Sequence, residues 1–156
     1  MNEQFDRIVD FVRTNLGNYL RDSPCLQWYL SRLYEKNQII IIEDNGEIKA
    51  IQSYFLCRDE DLPYLEITND WVLPLSFSEG DILYLALTIS KDTKYLLEIR
   101  KHVRVLMHKY NITKIIAWDL LDGKVKTWTK VFGKWIFKQE KLDILQKQEV
   151  FQCLTK

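Results

Sequence analysis

Asp81-Ile-Leu-Tyr-Leu-Ala-Leu-Thr-Ile89, then Ser90-Lys-Asp-Thr93, and further on Lys114-Ile-Ile-Ala-Trp-Asp119 form the stretch that decides the fold. The two apolar runs have the length of buried strands, and the residues between them repeat as a helix does. Leu96, Ile99, Val103, Leu106 and Tyr110 recur at three- and four-residue steps and line one helical face, while Arg100, Lys101, Arg104 and His108 fall mainly elsewhere. Ser90 or Asp92 can cap its start. A strand, a helix and a second strand in this order predict a parallel pair joined by a crossover. The mouth of such a unit, at the helix N-terminus, offers oriented backbone N–H groups to an anion, which places a ligand site near Thr88 to Tyr95.

Upstream, Phe5, Ile8, Val9, Val12 and Leu16 predict an amphipathic helix that Gly17 or Asn18 can end. Ser23-Pro24 then pairs a cap residue with proline at a first helical position, and Leu26, Tyr29, Leu30 and Leu33 supply the buried stripe of a second helix that stops near Asn37. Gln38-Ile-Ile-Ile-Ile-Glu43 is short and β-branched, and Asp44-Asn45-Gly46 supplies turn chemistry before Glu47 to Leu56, so a β-hairpin is expected. Four consecutive Ile imply a strand covered on both faces.

Residues 57–80 read as an irregular link holding the acidic tract Asp59-Glu-Asp61, Pro63, Pro74 and the aromatics Tyr64, Trp71 and Phe77. Trp71 and Phe77 serve either as core fillers or as part of a substrate-side lid. Beyond Asp119, residues 124–132 are expected to be a short helix, with Val125, Trp128 and Val131 or Phe132 on one side and Gly133 as its stop. Trp135 to Ile144 and Gln148 to Leu154 read as a closing pair of strands.

The 156 residues, 47% hydrophobic and 28% charged with five Gly and three Pro, fit a single packed domain spanning 1–156. No run approaches the roughly 20 apolar residues of a membrane span, and the N-terminus is polar and acidic, so a cytoplasmic protein with no membrane partner is expected. Cys25, Cys57 and Cys153 lack C-x-x-C spacing, and His102 and His108 stand six apart, so neither a disulfide framework nor a metal site is expected. The formal net charge of zero conceals an asymmetry: residues 1–90 hold 7 basic and 15 acidic residues, whereas residues 91–147 hold 14 basic and 6 acidic. Either two solvated faces differ, or a basic side meets a polyanion and an acidic side a cationic group.

In element order the chain resembles the GCN5-related N-acetyltransferase (GNAT) family, whose fold is an α/β (α+β) mixed sheet. Ile39-Ile-Ile-Ile-Glu-Asp-Asn-Gly-Glu-Ile-Lys-Ala50 looks like that family's second and third strands, and Leu83-Tyr-Leu-Ala-Leu-Thr-Ile89 like its fourth. Thr127-Trp-Thr-Lys-Val-Phe-Gly-Lys-Trp135 is similar to the short helix and glycine turn after its fifth. The resemblance implies acetyl-coenzyme A or another acyl-coenzyme A as cofactor, lying in the splay between the fourth and fifth strands. Its implied wall is Leu87, Thr88 and Ile89, and its implied pyrophosphate loop runs over Ser90, Lys91, Asp92, Lys94 and Tyr95. That loop holds no Gly, so Lys91 and Lys94 would meet phosphate by charge. Trp128 is the nearest match to the family's proton-donating Tyr and is no acid, which leaves Tyr110 or Tyr95 as proton donor and Asp119 or a water as base.

Three functions follow as expectations. The first is a degenerate GNAT-like domain kept as a binding or structural module. An acyl-coenzyme A-dependent N-acyltransferase is the alternative, acting on a small-molecule or protein amine that the Asp59-Glu-Asp61 tract would attract. Nucleic-acid binding through the basic second half comes last, because no helix-turn-helix, zinc or RNA-recognition signature accompanies the charge.

Overall fold

The computed structural model describes residues 2–16, 24–68, 73–119 and 124–141. Helix α1 (Glu3–Asn15) opens on Asn2, whose side chain accepts the Gln4 N–H at 2.9 Å, and it buries Phe5, Ile8, Val9, Phe11 and Val12. Helix α2 (Pro24–Glu35) starts on its proline and buries Leu26, Tyr29, Leu30 and Leu33. Asn37, at φ 56°, ends it: the Gln38 N–H reaches the Leu33 carbonyl at 2.9 Å and the Asn37 N–H the Tyr34 carbonyl at 3.0 Å, a Schellman closure. Gly17, Asn18 and Ser23 lie outside the described residues.

Strands β1 (Ile39–Asp44) and β2 (Glu47–Cys57) pair antiparallel around Asn45 (φ 53°) and Gly46 (φ 77°), a two-residue turn of the primed kind. Strand β3 (Ile82–Ser90), helix α4 (Thr93–Lys109) and strand β4 (Lys114–Asp119) form the crossover unit, with β3 and β4 adjacent and parallel. The sheet is mixed, six-stranded and ordered β1 to β6 in sequence. On one face, α1 and α2 pack over Ile48, Ile51, Phe55, Ile82 and Ile116. On the other, Ile99 and Val103 of α4 meet Ile42, Ala50, Tyr54, Leu83 and Ile115. The four Ile of β1 divide accordingly, Ile39 and Ile41 toward α1 and α2 and Ile40 and Ile42 toward α4, so this edge strand is covered on both faces as its composition implies.

The link is more ordered than expected. A 3-10 turn (Asp59–Asp61) leads into helix α3 (Leu62–Thr68), and Leu65 is buried beside Phe55 and Ile82. Phe77 packs its ring 5.8 Å from that of Phe55, which fits the core-filling reading, whereas Trp71 lies outside the described residues. Cys57 is fully buried, and burial, with the Asp61 carboxylate nearby, pushes its thiol up to about 12. It is therefore a packing residue and not a nucleophile.

Residues 124–132 do not form the expected helix. They belong to β5 (Lys124–Val131), which pairs with β4 and turns through Phe132 (φ 50°) and Gly133 (φ 78°) into β6 (Lys134–Lys141). Val125, Thr127, Thr129 and Val131 put a β-branched residue at every second position, and the two positive φ angles match a two-residue hairpin turn. Val125, Trp128 and Val131 also fall at helical steps, but in the strand Trp128 turns to the face opposite Val125 and Val131. Gly133 turns a hairpin instead of ending a helix, the strand expected from Trp135 is β6, which pairs with β5, and the strand expected at 148–154 lies outside the described residues.

Candidate functional site

The crossover unit opens at its C-terminal end. Strands β3 and β4 pair only from Ile82–Lys114 to Leu85–Ala117; β3 then continues to Ser90 with no β4 partner, while β4 continues to Asp119 along β5. The parting coincides with a bulge in β3. Leu85 faces Tyr54 and Leu87 faces Ser53, so Ala86 is one residue too many. Two buried polar side chains of β2 hold this irregularity, Gln52 (2% exposed) and Ser53 (0%). The Leu87 N–H donates to Ser53 Oγ at 3.0 Å, Gln52 Nε2 donates to the Leu87 carbonyl at 3.2 Å, and Thr88 Oγ1 donates to Gln52 Oε1. With Leu87 facing β2, and the Lys91 N–H reaching the Lys49 carbonyl at 3.0 Å, the alternation of a strand turns the amides of Thr88 and Ser90 toward the gap. Sequence reasoning passed over Gln52 and Ser53. Their signal was two polar residues in a run, Ala50 to Cys57, that is otherwise apolar.

Helix α4 begins beside this gap, and its first turn is already capped. Asp92 Oδ1 accepts the Lys94 N–H at 3.3 Å, and the Asp92 carbonyl accepts the Tyr95 N–H at 3.2 Å and the Leu96 N–H at 3.3 Å. The Asp92 side chain thus takes up the Lys94 N–H and its carbonyl draws in the Tyr95 N–H, two of the donors that an anion would use, and it sets a negative charge among them, while the Leu96 bond is the first of the regular helical ladder. Its replacement by alanine is expected to cost about 1 kcal/mol, roughly 2–4 °C in melting temperature for a domain of this size, measured by thermal denaturation.

The remaining residues around the opening are tied to one another. Tyr95 Oη donates to Asp44 Oδ2 at 3.0 Å, which anchors the helix start to the β1–β2 turn. Lys49 donates to Glu47 at 2.7 Å, and this bond, with the charges of Lys49 and Lys91, holds the Glu47 carboxyl below its usual range. Lys91 lies 5.8 Å from the Phe11 ring centroid and Lys94 4.8 Å from that of Tyr95, both ammonium groups in solvent. Asp44, Glu47 and Asp92 against Lys49, Lys91 and Lys94 leave the rim without net charge.

The residues proposed from the sequence are therefore only partly assembled. Leu87, Thr88, Ile89, Ser90, Lys91, Lys94 and Tyr95 lie together at the opening, and Asp119 ends β4 two residues beyond its last pairing with β3. Tyr110 follows the last residue of the 17-residue α4 and stands at its opposite end, roughly 25 Å from Thr93 at 1.5 Å per residue. It packs in the cluster under α4 with Tyr54, out of reach of a group at the opening. Trp128 sits on β5 opposite Ile115, half-buried, with its ring 5.2 Å from that of Phe137. Among the described residues no three His, Cys, Asp or Glu side chains converge as a metal site, and no helix is long and apolar enough to cross a membrane.

No protein-family model and no curated protein sequence matches the chain. Its structure is similar to the loading GNATL domain of CurA from Lyngbya majuscula, with a TM-score of 0.51 and 15% sequence identity. The match covers 74% of this chain and 59% of that one, less than two thirds of its length. A mixed sheet parted between β3 and β4, with α4 crossing between those strands and this structural likeness, establishes that the chain has a divergent GNAT-like fold.

Proposed function

We propose that this chain is a GNAT-like domain that serves as a binding module and does not transfer acyl groups. The observation that carries the reading is Asp92. A pyrophosphate laid on the first turn of α4 would have to displace the carboxylate that caps it, give up that cap, and then face its charge at close range. The Gly-less loop Ser90 to Tyr95 adds side chains where close approach needs bare backbone, and the neutral rim supplies no field to offset either cost. Tyr95 is committed to Asp44 and Tyr110 is remote, so the opening lacks a placed proton donor among the residues named for that role.

Thermal denaturation with coenzyme A, acetyl-coenzyme A and longer acyl forms is expected to show no saturable shift. A ligand at about 100 times its dissociation constant would stabilise by about 2.7 kcal/mol, on the order of 5–10 °C here. A rise of that size, abolished by reversing the charges of Lys91 and Lys94, would replace this reading with the acyltransferase one.

A further inference from the structure

The β5–β6 hairpin carries large apolar side chains that the described fold leaves in solvent. Helix α4 packs on β1, β2 and β3, so the outer strands extend past it on the same side of the sheet. Trp128 lies opposite Ile115, whose side chain belongs to the cluster under α4, which puts Trp128 on that face. Phe137 is its partner across the hairpin, and Trp135, two residues before Phe137, is the partner of Lys130. Trp128, Phe137, Trp135 and Lys130 thus share one face. Trp135 is 37% and Phe137 52% exposed, and they stand about 7 Å apart along one strand. At the tip, Phe132 is fully exposed and holds φ 50°, a backbone region that suits Asn or Gly better than a large ring, so folding gains nothing from a Phe there. Residues 124–141 hold six Lys and one Glu, and α4, on the same side, adds exposed Arg100 and Arg104.

We propose that this face binds single-stranded nucleic acid, bases stacking on Trp135 and Phe137 while Lys130 and the arginines of α4 meet the phosphates. The inference deepens the binding-module reading and rests on it. Flat rings on a sheet face among cationic side chains form a stacking platform for unpaired bases, which any sequence can use. An acidic peptide adding as a strand to the β6 edge would pair in the plane of the sheet and leave these rings uncovered. A second copy of the hairpin would bring two strongly positive surfaces together. Nothing in this contact calls on a 2′-hydroxyl, so DNA and RNA bind alike.

The test is fluorescence anisotropy of labelled twelve-nucleotide oligo-dT and oligo-U with the full chain at about 50 mM salt, where phosphate contacts are strong. Saturable binding of both is expected, with a duplex of the same length weaker. Trp135→Ala and Phe137→Ala should each weaken binding roughly tenfold or more, Trp135→Phe should restore most of it, and Lys130→Ala should lower the slope of log affinity against log salt by about 0.7. Melting temperatures are measured alongside, so that affinities are compared only between variants folded at the assay temperature. The inference is overturned by absence of saturable binding, by binding indifferent to the paired Trp135→Ala and Phe137→Ala change, by equal affinity for duplex or for a poly-glutamate peptide, or by a self-association that those substitutions abolish. Oligonucleotide failure with no coenzyme A shift would remove this inference alone, whereas a coenzyme A shift would remove the reading beneath it.

Discussion

Gly80→Ala is expected to abolish cooperative folding. At φ 128° Gly80 occupies backbone space that L side chains rarely adopt, and a Cβ there would lie 1.8 Å from the Cys57 carbonyl oxygen and 2.3 Å from its carbon. Both are backbone atoms at the end of β2, so no rotamer change relieves the contact. The segment would have to lift off β2, breaking the 3.1 Å bond from the Leu56 N–H to the Phe77 carbonyl and the bridge between Leu56 and Ser78, and withdrawing Phe77 from Phe55. We expect a loss of more than about 4 kcal/mol, a large share of the total stability of an ordinary domain. Urea denaturation followed by circular dichroism decides the matter; a midpoint close to that of the wild type would show that the close approach is absent.

Asp61→Ala is expected to cost about 3–5 kcal/mol at neutral pH, on the order of 10 °C in melting temperature, because several buried backbone donors lose their acceptor together. Asp61 is 1% exposed and accepts the Arg58 N–H at 2.9 Å and the Ser76 N–H at 3.2 Å. Burial by itself would raise its carboxyl, but the N–H groups of Arg58, Ser76 and Leu75, with the Ser76 hydroxyl, outweigh it and hold the group below the ordinary carboxylate value. A carboxyl depressed in the folded state contributes stability that is present above its unfolded pKa of about 3.9 and is lost as pH falls through the folded value. The gap between wild type and Asp61→Ala should therefore be full at pH 7 and shrink as pH drops below about 4. A gap of equal size at pH 3 and pH 7 would mean that the charge plays no part.

Asp61 also shows why residue type alone misassigns a role. In Asp59-Glu-Asp61 three acids stand in a row and read as a lure for an amine, yet Asp61 is buried as a staple for the link while Asp59 and Glu60 are in solvent. Asp59 comes within 4.0 Å of Lys114 at the surface, a contact worth little in water. Which of the three turns inward depends on the 3-10 turn and on residues 75 and 76, fifteen positions away.

The sequence by itself determined the elements whose signals are local. The alternation and helical period across residues 81–119, the Asn45-Gly46 turn and the αL stop at Asn37 are consequences of backbone sterics and side-chain spacing within one or two turns of chain, and each stands where it was read. The remoteness of Tyr110 was legible too, since a helix from Thr93 to Lys109 must carry it to the far end. Tertiary structure alone decided the rest. Residues 124–131 carry two periods at once, Val125, Trp128 and Val131 at helical steps and Val125, Thr127, Thr129 and Val131 at strand steps, and pairing with β4 and β6 selected the strand. Gln52 and Ser53 became the keepers of the β3 bulge only when Leu87 and Thr88 arrived from 35 residues away, and the field at the opening was settled when Asp44, Glu47 and Lys49 met the start of α4. Short-range geometry is written residue by residue, but hydrogen bonds and charges between distant segments exist only once the chain has closed on itself, and at this opening they are what decides what can bind.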